Sequence, residues 1–180
     1  SVSFRSSNEV PNQRDTIQVK DDQGACLLTL LAAGGETHNA GGLNWGQNPN
    51  NHTTKSDAYI PIKKAHIKAF PTLFPSIREF PKNFVEGQGR SQRHNDSIEI
   101  IWDDGVIMRG LLEGWQSWDG NKYPKQISSF PNKNELGLYL RKRLGLRPDQ
   151  FVTKKHLELY GRTNVAVNKI EEGLYYFDFS

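Results

Sequence analysis

The sequence predicts a mainly β (α+β) domain, a mixed barrel with two or so short helices. Short apolar runs of strand length recur along the chain, and an Asp-Gly step joins two of them as a hairpin. The order of several strands, two long polar arms and a pair of short helices also differs from alternating βα units. At 180 residues the chain suits one domain. Residues 1–24 read as a loosely structured lead-in and first edge, and 25–180 as the domain proper.

The elements follow in order. Ala25–Leu31, bounded by Gly24 and Gly34-Gly35, reads as a buried strand, and Ala58–Ile62 as its partner. Pro61 cannot donate to a ladder, which restricts that partner to an edge or a strand end. A short helix is expected near Lys63–Lys68, then an irregular connection marked by Phe70-Pro71, Phe74-Pro75 and Phe80-Pro81. Ser97–Trp102 turns at Asp103-Asp104-Gly105 into Val106–Trp115, and Lys125–Phe130 returns as a strand. Asn132 or Asn134 is expected to cap a helix over Glu135–Leu144, with Leu136, Tyr139, Leu140 and Leu144 on one face and Gly145 as its stop. A second short helix is expected near Lys154–Tyr160, and Leu174–Phe179 as the closing strand.

Composition excludes some classes. No apolar stretch is long enough to span a membrane as a helix, and no charged-then-apolar leader opens the chain. The lone Cys26 lies in an apolar run and reads as a buried thiol, which fits a reducing cytoplasm. Net charge is only +3, but from Trp115 to Arg147 seven Lys or Arg stand against Asp119 and Glu135, a local excess of +5 that could engage phosphates.

Two polar segments carry the richest chemistry. The first, Gly34–Asp57, holds Asn44, Gln47, Asn51, His52, Lys55, Asp57 and Trp45. Amide side chains offer a donor beside an acceptor, the pattern that matches adenine edges, and a carboxylate can accept from cytosine. The same Asn and Gly residues are also ordinary turn formers. The second, Gln116–Pro124 with its flanks, joins Trp115, Gln116, Trp118, Asn121, Lys122, Tyr123 and Lys125. Arg109 on the preceding strand has the fork that suits guanine, Arg90, Arg93 and His94 suit a phosphate clamp, and Lys142 lies on the polar face of the long helix.

Catalytic patterns are weak. His66-Ile67-Lys68 satisfies the H-x-K start of a phospholipase D-type motif, yet Leu73 stands where that motif wants Asp. Asp103-Asp104 sits at a hairpin tip without the further acid and lysine of a Mg²⁺ nuclease. Cys and His spacings suit no zinc site, and no cofactor is expected. Two rival readings stay open: a self-contained hydrolase or nuclease with an unrecognised site, and a carbohydrate-binding β module that uses the loop tryptophans.

An ordered set of segments carries a resemblance. Gly42-Leu43-Asn44-Trp45-Gly46-Gln47, Ala58–Ile62, the Asp104-Gly105 hairpin, Leu157 with Tyr160-Gly161-Arg162-Thr163, and Tyr176–Ser180 together resemble the C-terminal recognition domain of phospholipase D-type type II restriction endonucleases. That domain is similar to the plant B3 DNA-binding domain, and the resemblance runs from about Ala25 to Ser180. It implies a seven-stranded B3-like pseudobarrel whose two arms, after strands one and four, grip the major groove. It also implies a bacterial cytoplasmic restriction-modification protein with its nuclease site in a separate, dimerising N-terminal domain. The expected partners are then double-stranded DNA and that nuclease domain, with the isolated domain monomeric. The chain departs from the pattern after Gln47, where Asn48-Pro49-Asn50-Asn51-His52 stands in place of an expected Arg, so no target bases carry over.

Overall fold

The computed structural model describes residues 17–50, 54–76 and 96–180. Seven of the strands within them form one sheet: β1 (Cys26–Thr29), β2 (Ile60–Pro61), β3 (Asp96–Trp102), β4 (Ile107–Glu113), β7 (Gln126–Ser129), β8 (Asn164–Glu171) and β9 (Leu174–Asp178). Their order is β1-β8-β9-β3-β4-β7-β2, antiparallel except for the parallel β3–β9 pair. β1 and β2 end the row and lie against each other, so the sheet is nearly closed as a barrel. Pro61 therefore sits on an edge strand, as its missing N–H requires. The remaining two strands, β5 (Gln116–Trp118) and β6 (Asn121–Tyr123), form a separate hairpin between β4 and β7.

Alternation with a period of two selects the core. Ile98, Ile100 and Trp102 on β3, Met108 and Leu112 on β4, and Tyr175, Phe177 and Phe179 at the C-terminus all point inward. The Trp102 indole lies 4.6 Å from the Tyr139 ring and 5.2 Å from that of Phe177. Each such buried side chain contributes roughly 1.5–3 kcal/mol through apolar area removed from water. Cys26 belongs to this core, and burial pushes its thiol up to about 12. Ahead of β1, Leu27 N–H donates to Val19 O, and Asp21 accepts from the Gln23 and Ala25 amides.

Helix α1 (Lys64–Ala69) follows β2 and packs against β1 and β5. Helix α2 (Asn134–Leu144) ends at Gly145, whose φ of 71° is the left-handed conformation that glycine adopts without penalty. Its N-cap is Lys133, not Asn132 or Asn134, and it makes no side-chain cap bond. The physical reason lies outside the helix: Ser129 Oγ at the end of β7 accepts the Leu136 N–H at 2.9 Å, which satisfies one first-turn donor from across the fold. Helix α3 (Lys154–Tyr160) begins with a reciprocal cap, in which Thr153 Oγ1 accepts from His156 N and His156 Nδ1 accepts from Thr153 N.

Arg143 closes the barrel's C-terminus. It donates to both carboxylate oxygens of Asp103 at 2.7 and 2.8 Å, to the Tyr139 and Tyr160 hydroxyls, and to the Phe179 carbonyl. Phe179 N–H returns to Asp103 at 2.7 Å, and Arg162 pairs with Asp178. The Tyr160-Gly161-Arg162 motif is thus a lock on the last strand.

Candidate nucleic-acid interface

Arm 1, between β1 and β2, is built around a 3₁₀ helix over Gly42–Gln47. Its two limbs are laced by Gly46 N–H to Asp57 O and Tyr59 N–H to Gly42 O. A Cβ on Gly46 would stand 2.3 Å from the Thr54 carbonyl, so only glycine permits this approach. Behind the arm, the buried Arg141 donates to the carbonyls of Leu43, Gly137 and Gln150, and burial lowers its pKa.

Arm 2 is the β5–β6 hairpin, so the second polar segment carries regular strand pairing of its own. Asp119 and Gly120 both have positive φ (48° and 74°), the pairing that a two-residue type I′ turn demands. An isolated hairpin is marginal in water. This one is held by Trp118 packed on Tyr123 at 5.9 Å, by α1, and by Gln116, whose Nε2 donates to Pro124 O at 3.0 Å and to Ile62 O at 2.6 Å. Ile62 N–H in turn donates to Lys125 O, and Lys63 Nζ reaches Leu31 O at the start of arm 1. The roots of both arms are therefore fastened to one stretch, Pro61-Ile62-Lys63.

The outer face of β4–β7–β2 adjoins both arms. Glu113, Gln126 and Pro61 are register neighbours across it. Glu113 is buried, accepting from Ser128 Oγ and from Lys133 Nζ at 2.6 Å, while Lys133 Nζ stands 5.5 Å from the Trp45 ring. This cluster links arm 1 to the foot of arm 2, and nothing in the sequence reading marked it.

The expected contact residues divide sharply. Asn44 is 0% exposed: its amide donates to His38 O and Val152 O and accepts from Val152 N, so it braces arm 1 and faces no solvent. Asp57 and Tyr123 are buried as well, Asp57 accepting from Thr54 Oγ1 at 2.6 Å. Gln47 Nε2 donates to Lys55 O and Asp149 O, and Trp45 stacks edge-on against Tyr59. Lys55, Lys122 and Lys125 are exposed, as is Trp115 at 46%, with Lys122 Nζ 4.3 Å above its ring; Asn121 is half-buried. Arg109 is exposed on β4, opposite Glu99. Lys142 is exposed at the end of α2 that Arg143 ties to the Asp103 turn, about 20 Å along β4 from arm 2. Asn51, His52, Arg90, Arg93 and His94 lie outside the described residues.

The basic excess after Trp115 is also partly internal. Lys133 is bound to Glu113, Arg141 is buried, and Arg143 is bound to Asp103, which leaves Lys122, Lys125, Lys142 and Arg147 as its outward cations. Sequence reading missed another source of positive charge: Lys64 and Lys68 project from α1, beside β5. Their i, i+4 spacing was the available signal. His66 of the H-x-K pattern is 1% exposed, its Nδ1 accepts from Lys63 N–H, and burial pushes its pKa down to about 4. Lys68 faces solvent, so the two do not form a pair. Among the described residues no group of three or more His, Cys, Asp or Glu is placed to hold a metal ion, and no helix is long and apolar enough to cross a membrane.

Residues 18–171 match the family model described as the NgoFVII C-terminal B3-like DNA-binding domain. No curated protein matches the chain.

Proposed function

Since the chain belongs to the family of B3-like DNA-binding C-terminal domains of restriction endonucleases, we propose that it recognises a specific duplex sequence by placing its two arms in the major groove. The observation that carries this reading is the joint rooting of both arms on Pro61-Ile62-Lys63, beside the outer face of β4–β7–β2. Two projections rooted on one stretch suit a groove flanked by two phosphate strands.

The contacts sort by chemistry. Lys64, Lys68, Lys122 and Lys125 surround arm 2 and suit phosphates, which position the protein without reading sequence. Trp115 and Asn121 on arm 2, and Gln47, Asn51, His52 and Lys55 on arm 1, are the candidates for base edges. Arg109 and the Arg90–His94 segment are candidates for the flanks. Asn44, Asp57 and Tyr123 act by shaping the arms. In this reading cleavage belongs to a separate N-terminal nuclease domain of the parent protein, and the isolated domain is a monomer.

A binding isotherm on a duplex selected from a random pool tests this. With about six phosphates engaged, affinity falls by roughly 10³ between 50 and 200 mM salt. Salt-independent binding, or equal affinity for all random duplexes, would overturn it. Incubation with plasmid and Mg²⁺ addresses the nuclease rival, since cleavage abolished by a point substitution in this chain would favour that rival.

A further inference from the structure

We infer that Lys133 is a specificity-determining residue, an ammonium fixed on the floor between the arms and aimed at the paired acceptors of a guanine. The inference rests on the major-groove reading above and goes beyond it in naming the residue and the base.

The geometry separates Lys133 from the other lysines. Glu113 Oε2 accepts from its Nζ at 2.6 Å and Ser128 Oγ lies at 3.3 Å, so two of its three protons are directed into the fold. The side chain is still 31% exposed, and the Trp45 ring lies 5.5 Å from Nζ. An ammonium held in this way has already lost its rotamer freedom, so directing its remaining N–H at a ligand carries little further ordering cost.

The charge balance argues against a phosphate contact. Glu113 is buried and offsets the lysine's charge locally, so the pair attracts a polyanion weakly. A directed donor remains, which suits a neutral acceptor. In the major groove the richest pair of neutral acceptors is O6 and N7 of guanine, and Lys is one of the side chains that reads them. The pair also lies at the foot of arm 2, next to the loops proposed to read bases.

Selection of bound duplexes from a random pool, run on the wild-type chain and on Lys133→Met and Glu113→Gln, tests the inference. The wild type should enrich a guanine that Lys133→Met no longer prefers, with discrimination there dropping at least about tenfold and the other positions kept. Glu113→Gln keeps the ammonium but replaces its charged anchor with a weaker amide acceptor, and should blur the same position. A uniform loss of affinity across sequences, or an unchanged consensus in Lys133→Met, overturns the inference. Should Lys133→Met fail to fold, an unchanged consensus in Glu113→Gln overturns it equally. A wild type that selects no sequence at all refutes the proposed function instead, so the two failures are distinguishable.

Discussion

Asn44 and Val152 hold each other through two 2.8 Å hydrogen bonds, the Asn44 amide donating to the Val152 carbonyl and its oxygen accepting the Val152 N–H. The pair joins arm 1 to the segment between α2 and α3, and it is fully buried. Asn44→Ala would strand the Val152 N–H in the interior, while Thr37 Oγ1 still donates to the Val152 carbonyl. The expected cost is about 2–3 kcal/mol, read as a lower urea midpoint. The base preference of the folded fraction should not change, because Asn44 touches no solvent.

Gly137→Ala should be among the most damaging single-methyl additions. A Cβ there would lie 1.7 Å from the Ser56 carbonyl oxygen, with the Arg141 guanidinium also within 3.0 Å. The nearest obstruction is backbone, which cannot swing aside as a side chain can. A loss of about 3 kcal/mol or more is expected, together with weaker DNA binding at salt where the fold persists, because α2 can no longer support arm 1.

Acid should weaken the fold in two separable windows. His66 has a folded-state pKa of about 4 against an ordinary 6.5, chiefly through burial, with its contact to the Leu27 carbonyl opposing the shift. The unfolded chain therefore takes up the proton first, and stability is lost as pH falls from about 6.5 to about 4, at up to about 1.4 kcal/mol per pH unit. His66→Asn, which can still accept from Lys63 N–H, should flatten that slope in urea titrations run across the pH range.

Asp103 acts below that window. Burial alone would raise its pKa, but the hydrogen bonds from Arg143 and the Phe179 amide outweigh it and hold the carboxyl below its usual range. Its contribution is present above the ordinary carboxylate value and is lost as pH falls through the lowered one. Asp103→Asn should reduce the slope below about pH 4, leaving the part due to Asp178, whose carboxyl is also held below its usual range. The same substitution should also cost roughly 3 kcal/mol at neutral pH, since Arg143 is left inside the fold with only the longer 3.9 Å pairing to Asp104.

Lys64→Gln/Lys68→Gln tests the phosphate assignment on α1. Each lost contact should reduce the slope of log affinity against log salt by about 1, so the double variant should lose about 2 while selecting the same sequence. An unchanged slope would remove α1 from the interface.

Much of the barrel was legible because its strands alternate and its turns use Gly. The Asp104-Gly105 hairpin, the α2 stop at Gly145 and the α3 span all appear where the sequence places them. Strand β8 escaped because Val165, Ala166 and Val167 are buried consecutively, Ala166 packing outward on Ala25 and Leu27 in a second small cluster, which erases the period of two. The site was harder to read. An Asn that reads DNA and an Asn that braces a loop look alike in sequence, and the partner that settles the role of Asn44 lies 108 residues away. Lys133 looked like one cation in a basic run until the β4–β7 register brought Glu113 to it.

The Gln116 bonds to Ile62 and Pro124 have a consequence for how DNA would be judged. They fasten the foot of arm 2 in the free domain, and on the proposed two-arm reading the molecule would work as a caliper of fixed gap. A helix that must widen or compress to fit pays a deformation energy set by its own base steps, and stiff A-tracts would be sorted from pliant pyrimidine–purine steps. Some selectivity would then fall on positions that no side chain touches.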